Sequence, residues 1–264
     1  MTTALVTGAS AGIGRSFCHE LARGGHDLVL VARNLDRLEE LAREVETAHG
    51  VRTEVIAADL ATGEGMRRVA DRLSQDGDGA IDLLVNNAGF GLKTAFFDSD
   101  VADEERQLTV LCEAVLVLTH AAGRAMIARG RGHIVNVSSV ASYVTMGSYS
   151  ACKAFVTTLT QSLALDLRGT GVGITALCPG YTHTEFHQRM GASMSAVPDF
   201  MWLDSDRLVR SCLRDARAGK VISTPGAFYR TAEAITGVLP RGTVRALSAA
   251  MMGQSGPSRE RNGR

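Results

Sequence analysis

The sequence predicts an α/β fold, a single doubly wound parallel sheet of about seven strands with helices on both faces. Three observations carry that reading. Short β-branched apolar runs alternate with longer stretches of helical periodicity. Several of the short runs, such as LVLV at 28–31 and IDLLV at 81–85, are almost continuously apolar, as strands covered on both faces require. A glycine-rich segment follows directly on the first run and opens a helix-compatible stretch at 15–23.

In chain order, strands are expected at 4–6, 28–31, 51–57, 81–85, 133–137, 172–177 and 221–223. The stretch 35–48 sets Leu35, Leu38, Leu41, Ala42 and Val45 at helical spacing with charges opposite, and so reads as a surface helix laid on the sheet. Another helix is expected over 103–128, and the stretch that begins near Tyr149 continues through Phe155, Leu159, Leu163 and Leu167, an apolar stripe that suits a subunit interface or packing on the sheet equally well. No Pro-rich or Gly/Ser-rich linker divides the chain and no internal repeat occurs. Residues 1–252 therefore read as one domain, and the polar stretch 253–264 as a disordered tail.

Composition narrows the function. The 264 residues are 45% hydrophobic, enough for a sizeable core, and 28 Lys and Arg balance 28 Asp and Glu. A net charge of zero removes the bulk electrostatic reason to expect nucleic acid. The five cysteines, Cys18, Cys112, Cys152, Cys178 and Cys212, are scattered and form no metal-ligand spacing, which suits reduced thiols in a cytoplasmic protein. No basic-then-apolar leader opens the sequence and no run of 18 apolar residues occurs, so neither export nor a membrane span is expected.

The glycine segment is Thr7, Gly8, Ala9, Ser10, Ala11, Gly12, Ile13, Gly14. Such a loop lets backbone approach a phosphate, and a helix N-terminus behind it offers free N–H groups and the positive end of a dipole. Glycines also serve ordinary strand-to-helix turns, and this G-x-x-x-G-x-G spacing is not the G-x-G-x-x-G of the common dinucleotide fingerprint. Further marks follow in order. Asn86, Asn87, Ala88 and Gly89 come after the fourth strand, and Ser138 and Ser139 after the fifth. Tyr149 and Lys153 stand in Y-x-x-x-K, and Pro179, Gly180 and Thr184 make P-G-x-x-x-T after the sixth.

With these motifs the chain, over about residues 2–225, resembles the short-chain dehydrogenase/reductase family, most closely its main branch of about 250 residues. The resemblance implies a Rossmann-type sheet and an oxidoreductase that moves a hydride between a nicotinamide cofactor and a carbonyl or secondary alcohol. It implies Ser139, Tyr149 and Lys153 as catalytic residues, with Tyr149 and Lys153 also touching cofactor, and a homodimer or homotetramer. It implies cofactor contacts from Gly8, Ser10, Gly12, Ile13, Gly14, Asp59, Asn86, Ala88, Gly89, Pro179, Gly180, Thr182 and Thr184. Tyr149 and Lys153, four apart on a helix, share one face, and a nearby cation favours ionisation of a phenol whose reference pKa is about 10. Side chains alternate along a strand, so only one of Ser138 and Ser139 can face the cleft; the resemblance favours Ser139.

Charge at the end of the second strand bears on the cofactor. An acidic residue there would bind ribose hydroxyls and repel a 2′-phosphate. Ala32 and Arg33 stand in its place, which favours NADP(H), with NAD possible and with Arg33 as a plain surface cation the alternative. Arg15 is a candidate second contact. The family's fourth catalytic residue, an Asn eight positions before the Thr of an L-T pair, falls on Leu111 when counted from Leu118 and Thr119. The Met- and aromatic-rich segment 183–204 occupies the family's variable substrate loop. Met190, Met194, Met201, Phe186, Phe200 and Trp202 favour a lipophilic or bulky substrate there, or else fill a core or an interface; His183 and His187 read as surface residues near it. Two alternatives stand beside this function: an NAD(H)-preferring dehydrogenase, and a nucleotide-sensing relative without turnover.

Overall fold

Seven short apolar runs become seven strands. The computed structural model describes residues 2–186 and 197–253. The strands are β1 (Thr3–Thr7), β2 (Asp27–Ala32), β3 (Thr53–Ala57), β4 (Leu83–Asn86), β5 (Gly132–Val137), β6 (Val172–Leu177) and β7 (Ile222–Ser223). All pair in parallel in the order β3-β2-β1-β4-β5-β6-β7. Successive side chains of β2 show why its run is continuously apolar: Leu28 and Leu30 belong to the core on one face, Val29 and Val31 to the core on the other.

The first face is covered by α1 (Gly12–Arg23), α2 (Leu35–His49) and α7 (Ser205–Arg217), through Phe17, Leu21, Leu38, Leu41, Leu208 and Cys212. On α2 the expected stripe holds for Leu38, Leu41, Ala42 and Val45, whereas Leu35, at the first helical position, is exposed. The second face is covered by α3 (Gly63–Leu73), α5 (Ala114–Arg129) and the buried side of α6 (Gly147–Asp166). From α6, Leu163 and Leu167 pack on this core, while Phe155 stays exposed, so the predicted stripe is divided between the sheet and the surface.

The helix expected over 103–128 is a composite: α4 (Val101–Leu108), a π-helical turn Thr109–Glu113, and α5. The run Val101–Arg129 is long and apolar enough to cross a membrane by composition, but Val110, Leu111, Ala114, Leu118, Ala122 and Met126 are buried against the fold, which makes it a core helix. Two C-terminal helices that no motif marks in the sequence, α8 (Ala227–Val238) and α9 (Arg241–Gly253), follow β7. They brace the loop between β5 and α6: Tyr143 donates to Glu233 at 3.2 Å and Thr145 N–H to Ser248 Oγ at 3.1 Å. Residues 254–264, read as a tail, lie outside the described residues, as do His187, Met190 and Met194.

Candidate active site

Strand order reverses between β1 and β4, and a crevice opens there at the carboxyl ends of the strands. The loops after β1 and β4 are laced together across it. Asn87 Nδ2 donates to the carbonyls of Thr7 and Gly8 at 3.0 and 3.2 Å, and the backbone N–H groups of Asn87 and Ala88 donate to Thr7 Oγ1 at 2.9 and 3.0 Å. A Cβ on Gly14 would lie 2.2 Å from the Gly8 carbonyl oxygen, so the helix can start this close to the strand only with glycine there. Gly12 adopts φ +53° and faces Thr184, whose Cβ would lie 3.2 Å from an added Cβ.

The N-terminus of α1 fits an anionic group. Helices α2, α3, α4 and α7 are each capped by their own side chains, Asn34, Thr62, Asp100 and Asp204. Helix α1 starts from Ala11, which provides no side-chain cap, and its first turn carries no acidic residue. Its leading N–H groups and dipole are therefore presented to the crevice beside Ser10, Gly12 and Ile13.

At the end of β2, Arg33 is exposed and, among the described residues, forms no ion pair. The neighbouring cations are engaged: Arg15 with Glu44, Arg37 with Glu185 at 3.3 Å, and Arg106 with Asp59 at 2.7 Å. Arg15, a candidate second cofactor contact, thus already holds a carboxylate. Burial pushes the Asp59 carboxyl up, but the Ala61 N–H, Arg106 and the field of Arg33 outweigh it and keep it below the usual range.

Asn86 departs from expectation. Its side chain is buried beneath the crevice, donating to Thr119 Oγ1 at 3.1 Å and to Asn136 Oδ1 at 2.9 Å in a polar knot that Thr160 completes. The side chain that reaches the glycine loop is that of Asn87. Asn86 is the last residue of β4 and pairs in register with Asn136, which turns it toward the helix layer.

The structure brings Ser139, Tyr149 and Lys153 together. Ser138 is buried and spent on the Lys153 carbonyl at 2.8 Å and on Thr157 Oγ1 at 2.7 Å, which locks α6 to β5. Ser139 lies in the crevice, accepts from the Ala141 N–H at 3.1 Å, donates to the Pro179 carbonyl at 3.5 Å, and lies close enough to Tyr149 to act on its phenol. Lys153 is buried and donates to the Val137 carbonyl at 2.7 Å, with Nζ 5.7 Å from the centre of the Tyr149 ring. Burial lowers the Lys153 pKa to about 8. The Lys153 cation by itself would favour ionisation of the phenol. Burial instead pushes the Tyr149 phenol up and the Ser139 hydroxyl only partly offsets it, so the phenol is protonated at neutral pH.

Leu111 faces this group. It is buried in the π-helical turn, and the point where Gly89 would carry a Cβ lies 2.8 Å from Leu111 Cδ2 and 3.9 Å from Lys153 Nζ. Opposite, Pro179 O accepts from the Val140 N–H at 3.0 Å, and a Cβ on Gly180 would meet the Tyr229 ring at 2.0 Å. Thr182 is buried, donates to the Gly180 carbonyl at 3.0 Å, and bridges to Leu203. Phe186 packs its ring on Tyr149 with centroids 5.9 Å apart, and Trp202 lies between Tyr181 and His183. Tyr143 and Tyr229, which support the crevice, carried no sequence motif.

Residues 2–195 match the family model described as short chain dehydrogenase. Galactitol 2-dehydrogenase (L-tagatose-forming) of Cereibacter sphaeroides is 33% identical over 237 residues, 86% of this chain and 90% of that protein. Among solved structures, a short-chain dehydrogenase from Sphingobium yanoikuyae in complex with NADPH is 31% identical, covers 100% of this chain and 99% of its own, and superimposes with a TM-score of 0.83. A bulky-bulky ketone specific alcohol dehydrogenase from Comamonas testosteroni is 29% identical, with coverage of 100% and 97% and a TM-score of 0.76. The chain belongs to the short-chain dehydrogenase family, as an NAD(P)-dependent oxidoreductase acting on alcohol and carbonyl groups.

Proposed function

We propose that the protein interconverts a bulky, lipophilic ketone and its secondary alcohol with NADP(H) as the preferred cofactor. The observation that carries this reading is the convergence of Ser139, Tyr149 and Lys153 in one crevice, with the Phe186 ring lying on Tyr149. Arg33 after Ala32, with no carboxylate at the end of β2, supports the NADP(H) preference. So does the NADPH bound in the Sphingobium relative. The name of the Comamonas neighbour and the apolar surface of Phe186, Met201 and Trp202 support a bulky substrate.

The chemistry supplied by a bound nicotinamide dinucleotide is hydride donation or acceptance. The residues that would hold it are the N-terminal turn of α1, Arg33, Asp59, Ala88, Gly89, Lys153 and the stretch from Pro179 to Thr184. Ser139 Oγ hydrogen-bonds the substrate oxygen and fixes its carbonyl carbon in the crevice. As negative charge develops on that oxygen, the Tyr149 hydroxyl gives up its proton to it, and Lys153, still mostly cationic at neutral pH, stabilises the phenolate left behind. In the oxidative direction Tyr149 takes the alcohol proton back.

The exposed apolar side chains Leu108 and Leu116 on α4 and α5, and Phe155 and Leu165 on α6, support assembly through these helices into a homodimer or homotetramer. Five buried, unpaired cysteines support a reducing, cytoplasmic setting. A panel of ketones graded by size, assayed with NADPH and with NADH, tests the reading. Highest kcat/KM is expected for ketones bulky on both sides with NADPH, and a preference for small charged aldehydes would overturn it.

A further inference from the structure

Beside this group lies a pair of thiols that hydride transfer does not use. Cys152 stands on α6 between Tyr149 and Lys153, and Cys112 lies in the π-helical turn that follows α4. Both are buried, at 7% exposure for Cys112 and 5% for Cys152, and with Leu111 they form a small cluster against which the Tyr149 ring packs. Cys112 Sγ donates to the carbonyl oxygen of Cys152 at 3.8 Å, which holds the π-helical turn against α6 at this pair. The neighbouring Cys112 side chain favours the Cys152 thiolate against the cost of burial, and the Lys153 charge adds to it. Cys18 and Cys212, by contrast, are core thiols that burial holds in the protonated form.

We propose that Cys112 and Cys152 form a peroxide-sensitive modification site whose disulfide switches the enzyme off. The Cys152 thiolate attacks one oxygen of hydrogen peroxide, the S–O bond forming as the O–O bond breaks, and the departing hydroxide takes up a proton to leave water and a sulfenic acid. The Cys112 sulfur then attacks the Cys152 sulfur. The S–S bond forms as the S–O bond breaks, and the leaving hydroxide combines with the Cys112 proton as a second water. Two thiols and one peroxide give one disulfide and two waters, with the sulfurs oxidised by two electrons and the peroxide reduced by two.

A disulfide requires the sulfurs at about 2.05 Å, closer than any thiol hydrogen bond, so its formation draws α6 against the π-helical turn. Tyr149 and Lys153 flank Cys152 on α6, whereas Ser139 is anchored to β5 and to Pro179. The shift therefore displaces the proton donor from the serine that orients the substrate. Misplacement on the ångström scale costs about 100-fold in rate.

The test is peptide mass mapping of the reduced protein after stoichiometric hydrogen peroxide, with NADPH-dependent turnover followed in parallel. Expected are a cross-linked peptide joining Cys112 to Cys152 that has lost two hydrogens, and a fall in turnover of at least about tenfold that dithiothreitol reverses. Cys112→Ser and Cys152→Ser, each close to the thiol in size, are expected to form no cross-link and to keep their turnover in peroxide. Separate thiols or sulfinic acids at both positions in the treated wild type would overturn the proposal, as would equal, reversible inactivation of wild type and Cys112→Ser. The mass map needs no substrate, so it stands whichever ketone the enzyme takes.

Discussion

Replacing Arg33 with alanine isolates the charge that sets cofactor preference. The guanidinium lies at the end of β2, exposed, with Ala32 where an acidic residue would otherwise face a ribose. A charge-assisted hydrogen bond to a phosphate is worth about 1.5–3 kcal/mol, and solvent exposure with salt screening places Arg33 at the low end, about 1.5–2 kcal/mol. Its neighbours offer little compensation. Arg15 is tied to Glu44, Arg37 to Glu185 and Arg106 to Asp59, and freeing any of them breaks an ion pair. Arg33→Ala is therefore expected to raise the Kd for NADPH by about 10- to 30-fold, and to leave that for NADH within about threefold. Fluorescence titration of both cofactors, at low and high salt, reads this directly, and the NADPH advantage of the wild type should shrink as salt rises. Equal wild-type affinity for NADPH and NADH would refute the reasoning, as would a parallel loss of both in the variant.

Four further outcomes follow from the same geometry. Phe186→Ala removes the ring that lies on Tyr149, and should cut kcat/KM for a ketone bulky on both sides by about 5- to 10-fold while sparing acetone-sized substrates; equal losses for both would remove Phe186 from substrate contact. Lys153 keeps its proton below about pH 8 and loses it as pH rises through that value, so the Kd for NADPH should climb above pH 8 toward about tenfold per pH unit, and a flat profile to pH 9.5 would contradict it. Over the same interval, up to the ordinary value of 10.5, the unfolded chain holds the proton that the folded chain has released, so stability toward denaturant should rise with pH as affinity falls. Leu111→Asn puts an amide into an apolar cluster and should lower stability by about 2–3 kcal/mol in a urea melt, with turnover unchanged or raised; complete loss of turnover in a folded variant would mean that the leucine itself is required.

Strands and their order of use were legible because a parallel sheet buried on both faces leaves continuous apolar runs, as in β2, and each functional motif follows a strand end. The glycine loop and the two serines were legible for the same reason, and the Tyr–Lys pair by its four-residue spacing on α6. What escaped depends on contacts between distant segments. Helices α8 and α9, about half of whose residues are Ala, Gly, Thr or Ser, carry no motif, and their hold on the loop before α6 runs through Tyr143 to Glu233 and Ser248 to Thr145, separated by about a hundred positions. The exchange of Asn86 for Asn87 was readable in principle from strand parity, since Asn86 closes β4 opposite Asn136. The π-helical turn has no signature of its own: TVLCE contains neither Gly nor Pro, and its extra residue per turn shows only in the backbone. Nor does the spacing of Tyr149 and Lys153 reveal that burial outweighs the cation at the phenol.

The most direct test of hydride transfer completed by Tyr149 uses NADPH carrying deuterium at C4 of the nicotinamide, supplied as each of the two stereoisomers, with the best bulky ketone. The account predicts that one isomer delivers deuterium to the carbinol carbon of the alcohol, and that Tyr149→Phe lowers the rate by about 10²- to 10⁴-fold without weakening NADPH binding more than about threefold. Alcohol free of deuterium from both isomers, or a Tyr149→Phe variant as fast as wild type, would contradict it.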